Sequence, residues 1–273
     1  MPELPEVETI KNELLPYVVG CIISGVTLFW ERMLRQLSLE EFHSRINGQK
    51  IIGLSRRGKY LILSLSSGDL LVIHLKMSGS LLIGKASSEP PKYTRAVIRL
   101  DNGISIFFCD PRKFGTMQLI KDRDSIFGKL GPEPLEADFT SGLLFKCLAK
   151  RKVPIKAVLL DQSFIAGIGN MYADEALFLS GIHPLRLTSS LSSNEVEQLH
   201  SAIQQVLRLG IDNKGASIAN YLRPDGKSGT AQFQFKVAHG RGKNCPFCGI
   251  PLKRIIVRNR STYFCHKCQM AKN

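Results

Sequence analysis

Four cysteines near the carboxyl end of the sequence have the spacing of a metal site. Cys245 and Cys248 form one Cys-x-x-Cys pair, Cys265 and Cys268 form a second, and sixteen residues separate the pairs. This spacing is typical of two knuckles that close a tetrahedral four-thiolate site. Because four protein ligands leave no open coordination position, the sequence predicts one structural zinc ion. A redox dithiol and an iron–sulfur cluster are the alternatives, and the paired motifs and their spacing favour zinc over both.

The segment between the cysteine pairs is strongly basic. We expect a β-hairpin here that zinc holds rigid, and a rigid basic hairpin suits contact with phosphates. No acidic residue follows Asp225 to balance the charge. A solvated basic hairpin without a ligand is the alternative interpretation. The basic residues are Lys253, Arg254, Arg258 and Arg260.

The amino-terminal sequence Met-Pro-Glu-Leu-Pro-Glu-Val-Glu allows two interpretations. In the first it only starts a helix, because proline and glutamate favour the first turn. Apolar residues at helical spacing would form the buried stripe of that helix: Leu4, Val7, Ile10 and Leu14. In the second interpretation Pro2 takes part in a reaction. A small second residue normally permits removal of the initiator methionine, which leaves Pro2 with a free secondary amine.

A free amine at Pro2 would be a nucleophile. The pKa of an α-amino group is about 7.7 to 8.0, so roughly a tenth or more is neutral at pH 7. Attack of this amine on C1′ of a sugar gives an iminium, and that electron sink acidifies C2′ for elimination. Glu3, the next residue along the chain, could move protons in such a reaction.

The elements that must position these residues divide the chain into two halves. After an opening helix, the first half has short apolar runs separated by polar turns, which predicts a meander or a β-sandwich. The strongest hairpin signal is the sequence Asp-Asn-Gly at 101–103, between the runs 94–100 and 104–109. The other predicted strands are 21–30, 50–54, 60–65, 70–75 and 116–120.

The second half has helical periodicity. Two prolines and a glycine at 131–134 mark the boundary between the halves. Ser192 and Glu195 have the spacing of a capping box at the start of one helix. A Gly-rich stretch from about 223 to 243 predicts a loop that can move. The other predicted helices are 140–150, 154–162, 170–180 and 215–222.

The net charge of the chain limits the classes of molecule that it would bind. The 273 residues include 37 Lys and Arg against 23 Asp and Glu, a formal net charge of +14. A positive field of this size suits a polyphosphate or an anionic membrane. No apolar run reaches the roughly 18 to 20 residues of a spanning helix, and the amino-terminal residues are acidic where a secretory signal is basic. We therefore expect a cytoplasmic protein that binds nucleic acid and no membrane.

Motifs spread along the whole chain add a family resemblance. They are PELPEVET at the amino terminus, RRGKYL at 56–61, HLKMSGSL at 74–81, DPRKFG at 110–115, LGPEPL at 130–135, GIGNMYADEALF at 167–178, GIHP at 181–184 and the four cysteines. In this order they resemble the bacterial formamidopyrimidine-DNA glycosylases, base-excision-repair enzymes for oxidised purines such as 8-oxoguanine.

The resemblance implies an α+β multidomain fold. An N-terminal catalytic β-sandwich with an N-terminal helix would cover residues 1–131, and a helical DNA-binding domain with a helix-two-turns-helix would cover 132–222. A flexible lesion-covering loop would follow at 223–240, and a zinc finger with a β-hairpin at 241–273. The resemblance further implies a monomer that acts on damaged double-stranded DNA in the bacterial nucleoid, without a small-molecule cofactor.

The resemblance also implies roles for individual residues. Pro2 would be the Schiff-base nucleophile, Glu3 the proton donor that helps to open the sugar ring, and Glu6 a support for the site. Lys59 would contact a phosphate and transfer a proton during β-elimination. Arg260 would bind phosphate and assist δ-elimination. Together these residues would make a bifunctional glycosylase and lyase.

DNA contacts follow from the need to flip the damaged nucleotide out of the duplex and to fill the gap. Met77, Arg112 and Phe114 resemble the family's void-filling residues. Met and Phe can wedge between bases, and Arg can hydrogen-bond the orphaned cytosine. Without the resemblance, Met77 and Phe114 would be interpreted as core residues.

Other DNA contacts are implied elsewhere in the chain. Asn170 would grip a phosphate together with backbone amides at a helix N-terminus. His74 has a core histidine as its alternative interpretation. The remaining implied contacts are Tyr93 and Arg151.

The sequence departs from the family pattern in two places. Asn259 and Ser261 flank Arg260 where relatives often have glycines, and because Asn tolerates a left-handed turn we expect the hairpin to form. Thr230-Ala231 and His239 stand where relatives have aromatic residues, in the loop that would cover the flipped base.

Two other functions are the alternatives. An endonuclease VIII-type glycosylase for oxidised pyrimidines is disfavoured by Leu4, where that family has glycine. A non-catalytic zinc-ribbon protein that binds nucleic acid would explain the charge and the cysteines, but it needs no free amine at Pro2.

Overall fold

The computed structural model describes residues 1–240 and 242–270, and the chain forms two compact units. The first unit comprises residues 1–129 and 211–232, and the second comprises 130–210 and 233–273. Residues 241 and 271–273 of the predicted zinc finger lie outside the described residues. The domain limits expected from the sequence remain predictions.

The strands of the first unit are β1 Ile23–Leu28, β2 Leu34–Arg35, β3 Ile51–Arg57, β4 Tyr60–Leu65, β5 Leu70–His74, β6 Ser80–Lys85, β7 Thr94–Leu100, β8 Ile104–Cys109 and β9 Thr116–Ile120, and those of the second are β10 Lys253–Val257 and β11 Arg260–Phe264. The helices along the chain are α1 Leu4–Val18, α2 Leu39–Ile46, α3 Asp124–Phe127, α4 Ser141–Ala149, α5 Ile155–Leu159, α6 Asn170–Leu179 and α7 Ser193–Asp212. Short 3-10 turns occur at Glu31–Met33, Thr188–Ser190 and Ala231–Phe233.

The first unit is a β-sandwich. One sheet has the strand order β1-β7-β8-β6 and the other the order β2-β9-β5-β4-β3. Side chains from both sheets and from α1 share one hydrophobic core, to which Ile10, Leu63 and Phe108 belong. The predicted strands 94–100 and 104–109 form with the expected bounds, as β7 and β8, and 101–103 is the turn between them. The structure adds α2, α3, β2 and β6, which the sequence did not predict.

Helix α1 carries the predicted apolar stripe. Leu4, Val7, Ile10 and Leu14 are each at most 1% exposed. Their burial against the sandwich fixes the helix, and thereby the position of the residues that precede it.

The helix predicted at 215–222 is wrong. Lys214 and Gly215 both have left-handed backbone conformations, with φ of +58° and +79°, which ends α7. The N–H of Ala216 then donates to the Glu6 side chain instead of to a helix carbonyl. The segment after α7 is therefore held by α1 and not by helical hydrogen bonds of its own.

The second unit is helical and ends in a hairpin. Helix α6 is buried from Met171 to Phe178. The predicted capping box of α7 is confirmed, because the Ser192 N–H donates to Glu195 Oε2 at 2.9 Å and the Glu195 N–H donates to Ser192 Oγ at 3.2 Å. Strands β10 and β11 pair in antiparallel register. Within the described residues, we find no helix that combines the length and the apolar character needed to cross a bilayer.

Candidate functional site

The first turn of α1 fixes the backbone directly after Pro2. Pro2 is buried, and Glu3, the N-cap residue, is only 2% exposed. The Glu3 N–H donates to Glu6 Oε2 at 2.7 Å, and Glu6 is fully buried. Such a capping box satisfies helix N–H groups that would otherwise lack a partner. The three amino-terminal residues singled out in the sequence are thus brought together in one turn.

The second oxygen of the Glu6 carboxylate faces the segment after α7. Oε1 accepts the N–H of Ala216 at 2.8 Å. At Gly215 the chains approach so closely that an added Cβ would lie 2.9 Å from Glu6 Cγ, and the φ of +79° also favours glycine. Sequence reasoning missed Gly215 and Ala216; the glycine at the end of a long helix was the available signal.

Lys59 lies in a two-residue hairpin between β3 and β4. Gly58 has a φ of +55° at the first turn position, as in a type II′ turn, and Lys59 follows with only 7% of its surface exposed. The guanidinium of Arg56 holds this turn, because Nη1 donates to the Gly58 carbonyl at 3.0 Å and Nε donates to Glu8 Oε2 at 2.7 Å. The Arg56–Glu8 pair therefore ties the hairpin that carries Lys59 to α1.

The carboxylate of Glu8 is held in its charged form. Burial raises its pKa, but hydrogen bonds from Lys11 and Arg56 outweigh burial, so that the pKa lies below its ordinary value. Sequence reasoning missed both Glu8 and Arg56 as supports of Lys59. They lie 48 residues apart, and a single sequence carries no direct signal for such a pairing.

His74 ends β5 as a neutral imidazole. Burial lowers its pKa from 6.5 to about 3, and the charges of Lys76 and Lys59 add to this effect. Nδ1 accepts the Lys76 N–H at 2.9 Å, so Nε2 carries the proton. The Tyr60 ring packs edge-on against the imidazole at a centroid distance of 4.5 Å. His74 is therefore a hydrogen-bond donor without charge.

The void-filling candidates lie at the surface of the first unit, not in its core. Met77 is 39% exposed in the loop between β5 and β6, and Phe114 is 48% exposed between β8 and β9. The Arg112 guanidinium stacks over the Phe114 ring at 4.9 Å. Tyr93 is 45% exposed and has a φ of +66°. Sequence reasoning missed Asp110, which is 1% exposed and begins the loop of Arg112 and Phe114.

In the second unit, Asn170 is bound to the hairpin next to Arg260. Asn170 is the first residue of α6, and its Nδ2 donates to the Ser261 carbonyl at 3.0 Å. Arg260 is exposed at the start of β11. The turn before it forms as expected, with left-handed Arg258 and Asn259 at φ +45° and +57°, the pattern of a type I′ turn.

A buried ion pair lies beneath this hairpin. Lys156 Nζ donates to Asp174 Oδ1 at 2.5 Å and to Thr262 Oγ1 at 2.7 Å, and all three residues are at most 2% exposed. Asp174 Oδ2 accepts the N–H of Tyr263 at 3.2 Å. Burial raises the pKa of Asp174 to about 7 against the opposing charge of Lys156. The pair joins α5 and α6 to β11, and sequence reasoning missed it.

Glu175 anchors the segment that leads into the finger. Its Oε1 accepts the N–H groups of Val237 at 2.8 Å and of Ala238 at 2.7 Å, and Oε2 accepts that of Lys236 at 2.8 Å. Burial raises the pKa of Glu175, and the three backbone donors oppose this. An acidic pair, Asp174-Glu175, in an otherwise apolar helix was the sequence signal for both anchors.

The four cysteines converge as predicted. Their sulfur atoms all lie within 4.8 Å of one another, with 3.8 Å between Cys245 and Cys268 and 3.4 Å between Cys248 and Cys265. A tetrahedral zinc site with Zn–S bonds of about 2.3 Å requires sulfur separations of about 3.8 Å. The donor set and its spacing therefore fit one metal ion.

Arg151 makes weak side-chain contacts at the surface of the second unit. Its Nη1 lies 3.8 Å from Asp161 Oδ2, and its guanidinium lies 5.1 Å from the centre of the Phe164 ring. The side chain is 43% exposed. A ligand can therefore bind the Arg151 side chain without breaking a buried contact.

The sequence matches two family models over most of its length. Residues 1–117 match the formamidopyrimidine-DNA glycosylase N-terminal domain, and residues 130–221 match the formamidopyrimidine-DNA glycosylase H2TH domain. A formamidopyrimidine-DNA glycosylase of Desulforamulus reducens is 44% identical, with 100% of both chains covered. One of Chloroflexus aurantiacus is 45% identical, over 99% of this chain and 98% of the relative.

Solved structures show the same fold. A Lactococcus lactis FPG mutant G226P in complex with Fapy-dG containing DNA has a TM-score of 0.92 at 34% identity, covering 98% of this chain and 100% of the other. The complex between the Lactococcus lactis Fpg and an abasic site containing DNA has a TM-score of 0.91 at 34% identity, covering 98% and 99%. The expected fold class, a β-sandwich with a helical H2TH domain and a four-cysteine cluster, is confirmed.

Proposed function

The chain belongs to the formamidopyrimidine-DNA glycosylase family, and from this premise we propose that it excises oxidised purines from double-stranded DNA through an imine on Pro2. It is a base-excision-repair DNA glycosylase, and AP lyase activity is part of the family role. The observation that carries the proposal is the full-length identity of 44% together with Pro2 and Glu3 in a buried, hydrogen-bonded helix start. The excision of 8-oxoguanine and formamidopyrimidines in particular is our inference.

The reaction starts once Met1 has been removed. The Pro2 nitrogen attacks C1′ of the damaged nucleotide, the glycosidic bond breaks, and the base leaves with its electron pair and a proton. Glu3 gives a proton to the ring oxygen O4′, so the sugar opens and an iminium joins C1′ to Pro2. Glu6 holds the backbone of this turn in place through Glu3 and Ala216.

Two eliminations follow from the iminium. Loss of a proton from C2′ expels the 3′ phosphate, with Lys59 contacting phosphate and moving the proton. A second proton loss expels the 5′ phosphate, with Arg260 neutralising its charge, and water then releases the sugar remnant from Pro2. Lys59 lies in a short hairpin turn and Arg260 at the start of β11, and both side chains are assigned as donors to phosphate.

The remaining candidates bind DNA. Met77 and Phe114 fill the space of the flipped nucleotide, and Arg112 hydrogen-bonds the orphaned cytosine. The exposure of all three side chains supports this assignment. A phosphate contact is assigned to Asn170, and further DNA contacts are assigned to His74, Tyr93 and Arg151.

The four-cysteine cluster can bind one metal ion, and we assign it a structural zinc. Four thiolates leave no coordination position for substrate, so zinc would stabilise the finger and with it the basic hairpin. We further propose that the enzyme acts as a monomer in the bacterial cytoplasm, on chromosomal DNA.

Borohydride trapping tests the proposed function. Four duplexes are compared: one with 8-oxoguanine opposite cytosine, one with an oxidised pyrimidine, one with an abasic site, and one undamaged. We expect a covalent adduct on the purine lesion that maps to Pro2, and none with Pro2→Gly or with a peptide tag retained before Pro2. Trapping only on the pyrimidine lesion would favour an endonuclease VIII-type enzyme. No adduct on any substrate, abasic DNA included, would leave a DNA-binding protein without this chemistry.

A further inference from the structure

We propose that Asp110 is a positioning residue that fixes two loops, 75–79 and 110–115, as one DNA-facing body. The inference rests on the proposed function, because it takes Met77, Arg112 and Phe114 as the side chains that fill the duplex. Met77 lies in the first of these loops, and Arg112 and Phe114 lie in the second.

The carboxylate of Asp110 accepts four hydrogen bonds. Oδ1 accepts the Ser78 hydroxyl at 2.5 Å and the Arg112 N–H at 3.1 Å. Oδ2 accepts the N–H groups of Phe114 and Gly115, both at 2.7 Å. The residue is 1% exposed, so water does not compete for these oxygens. One buried group thus holds the residue after Met77 and the backbone of both other void-filling residues.

The main chain of Asp110 extends the same network to Tyr93. The Asp110 N–H donates to the Tyr93 carbonyl at 2.9 Å, and the Asp110 carbonyl accepts Arg95 Nε at 2.8 Å. Three segments of the first unit that carry candidate DNA contacts therefore converge on this residue.

Backbone strain occurs at the same place. Lys76, Tyr93 and Lys113 have left-handed φ values of +53°, +66° and +59°, although none of them is glycine. Such conformations persist only where the surroundings hold them. Each of the three residues lies in a segment that hydrogen-bonds Asp110, and the Lys76 N–H is also held by His74 Nδ1.

Only a carboxylate can accept all four hydrogen bonds that are made to the Asp110 side chain. An ionised Asp has two oxygens with about four lone-pair directions, and every partner is a donor. In Asp110→Asn one oxygen becomes an NH2 group, which would face the N–H groups of Phe114 and Gly115 or, with the amide turned, the N–H of Arg112. Ser78→Ala is milder, because it removes only the bond between the two loops.

The test compares two substrates that differ in the need for void filling. The first is a duplex with 8-oxoguanine opposite cytosine or adenine. The second is a single-stranded oligonucleotide with an abasic site, which has no orphaned base and no duplex gap. Ser67→Ala is the matched control, since Ser67 Oγ donates at 3.1 Å to Asp69, another buried carboxylate of the first unit.

We expect Ser78→Ala to slow excision from the duplex roughly fivefold, the usual effect of one lost hydrogen bond, and to reduce discrimination between cytosine and adenine. Asp110→Asn should have a larger effect of the same kind. Cleavage of the single-stranded abasic site by Ser78→Ala should stay at the wild-type rate, and Ser67→Ala should match the wild type on both substrates. A double variant decides whether Ser78 acts through its neighbour: Met77→Ala with Ser78→Ala should be no slower than Met77→Ala alone.

The inference would be overturned if Ser78→Ala slowed both substrates equally at unchanged thermal stability. It would also be overturned if the rate losses of Met77→Ala and Ser78→Ala were additive in the double variant, or if Ser78→Ala excised from the duplex at the wild-type rate. If Asp110→Asn does not fold, the Ser78 series decides alone. Failure of the proposed function is seen separately, because the wild-type protein would then give no borohydride adduct on any substrate.

Discussion

The Glu6 carboxylate holds the N–H of Ala216 at 2.8 Å, across 210 positions of sequence. Its other oxygen holds the N–H of Glu3 at 2.7 Å. Since Glu6 is fully buried, both bonds are shielded from water and contribute more than they would at the surface. The turn that carries Pro2 and Glu3 and the segment after α7 therefore share a single acidic side chain.

Replacing Glu6 by Gln should disturb this turn. One acceptor becomes a donor that faces an N–H, so we expect a loss of about 1 to 3 kcal/mol in the free energy of unfolding. Trapping of Pro2 by borohydride should slow as well, because the backbone after Pro2 loses its fixed position. Rates of adduct formation and denaturant unfolding measure the two effects. Glu41→Gln, which affects only an exposed ion pair with Arg45, is the control; trapping by Glu6→Gln at the wild-type rate would contradict the role.

Breaking the Lys156–Asp174 pair should destabilise the second unit strongly. Lys156→Met leaves a carboxyl group buried without its counter-charge, which costs about 3 to 5 kcal/mol. Adding Asp174→Asn to this variant should recover part of the loss. Hydrogen exchange at the amides of β11 reports the effect locally. Lys227→Met, at an ion pair with Asp225 whose lysine is 76% exposed, should change stability by less than about 0.5 kcal/mol.

The sequence predicted the elements whose signals are local. The Asp-Asn-Gly turn at 101–103 located β7 and β8, and Ser192 with Glu195 located the start of α7. Helix 215–222 was wrong because a contact with Glu6, far along the chain, decides the backbone there. Strand β6 was missed, since its apolar run covers only 81–83 and ends at Gly84, shorter than the runs of β4 and β5.

In the candidate site, too, the sequence predicted what local spacing determines and missed the contacts between distant residues. The cysteine cluster followed from spacing alone. The role of Pro2 came from its expected free amine and from the resemblance, those of Lys59 and Arg260 came from the resemblance, and all three remain proposals. Their supports could not be found from the sequence. The hydrogen bond from Arg56 to Glu8 spans 48 positions and that from Ser78 to Asp110 spans 32, so only the fold brings these pairs together.

Removal of the metal should unfold the finger and abolish tight DNA binding. Four thiolates without a cation repel one another once they are charged, and so short a segment has little core of its own. We expect one zinc ion per chain by metal analysis, and new proteolytic cleavage between 242 and 270 after chelation. The strands of the first unit should keep their hydrogen-exchange protection. Normal duplex affinity of the metal-free protein would show that the hairpin does not clamp DNA.

His74 should make the fold sensitive to acid. Its pKa is lowered from 6.5 to about 3 by burial and by Lys76 and Lys59, so its contribution to stability is complete above pH 6.5 and is lost as the pH falls towards 3. At pH 5 the loss relative to neutral pH is about 2 kcal/mol. Unfolding free energies of the wild type and of His74→Gln should therefore converge by this amount between pH 7 and pH 5. A constant gap between His74→Gln and the wild type from pH 7 to pH 5 would contradict a neutral imidazole at His74 in the folded protein.

Arg260 should contribute one phosphate contact that can be counted. Duplex affinity that depends on phosphates falls with salt, and the slope of log K against log salt reports the number of contacts. Arg260→Ala should reduce the magnitude of this slope by about 1 on damaged and undamaged duplexes alike. Arg260→Lys keeps the charge but loses the fork of donors, so its slope should stay near that of the wild type while δ-elimination slows. Unequal slopes for Arg260→Lys and the wild type, or an unchanged slope for Arg260→Ala, would place Arg260 away from the phosphate backbone.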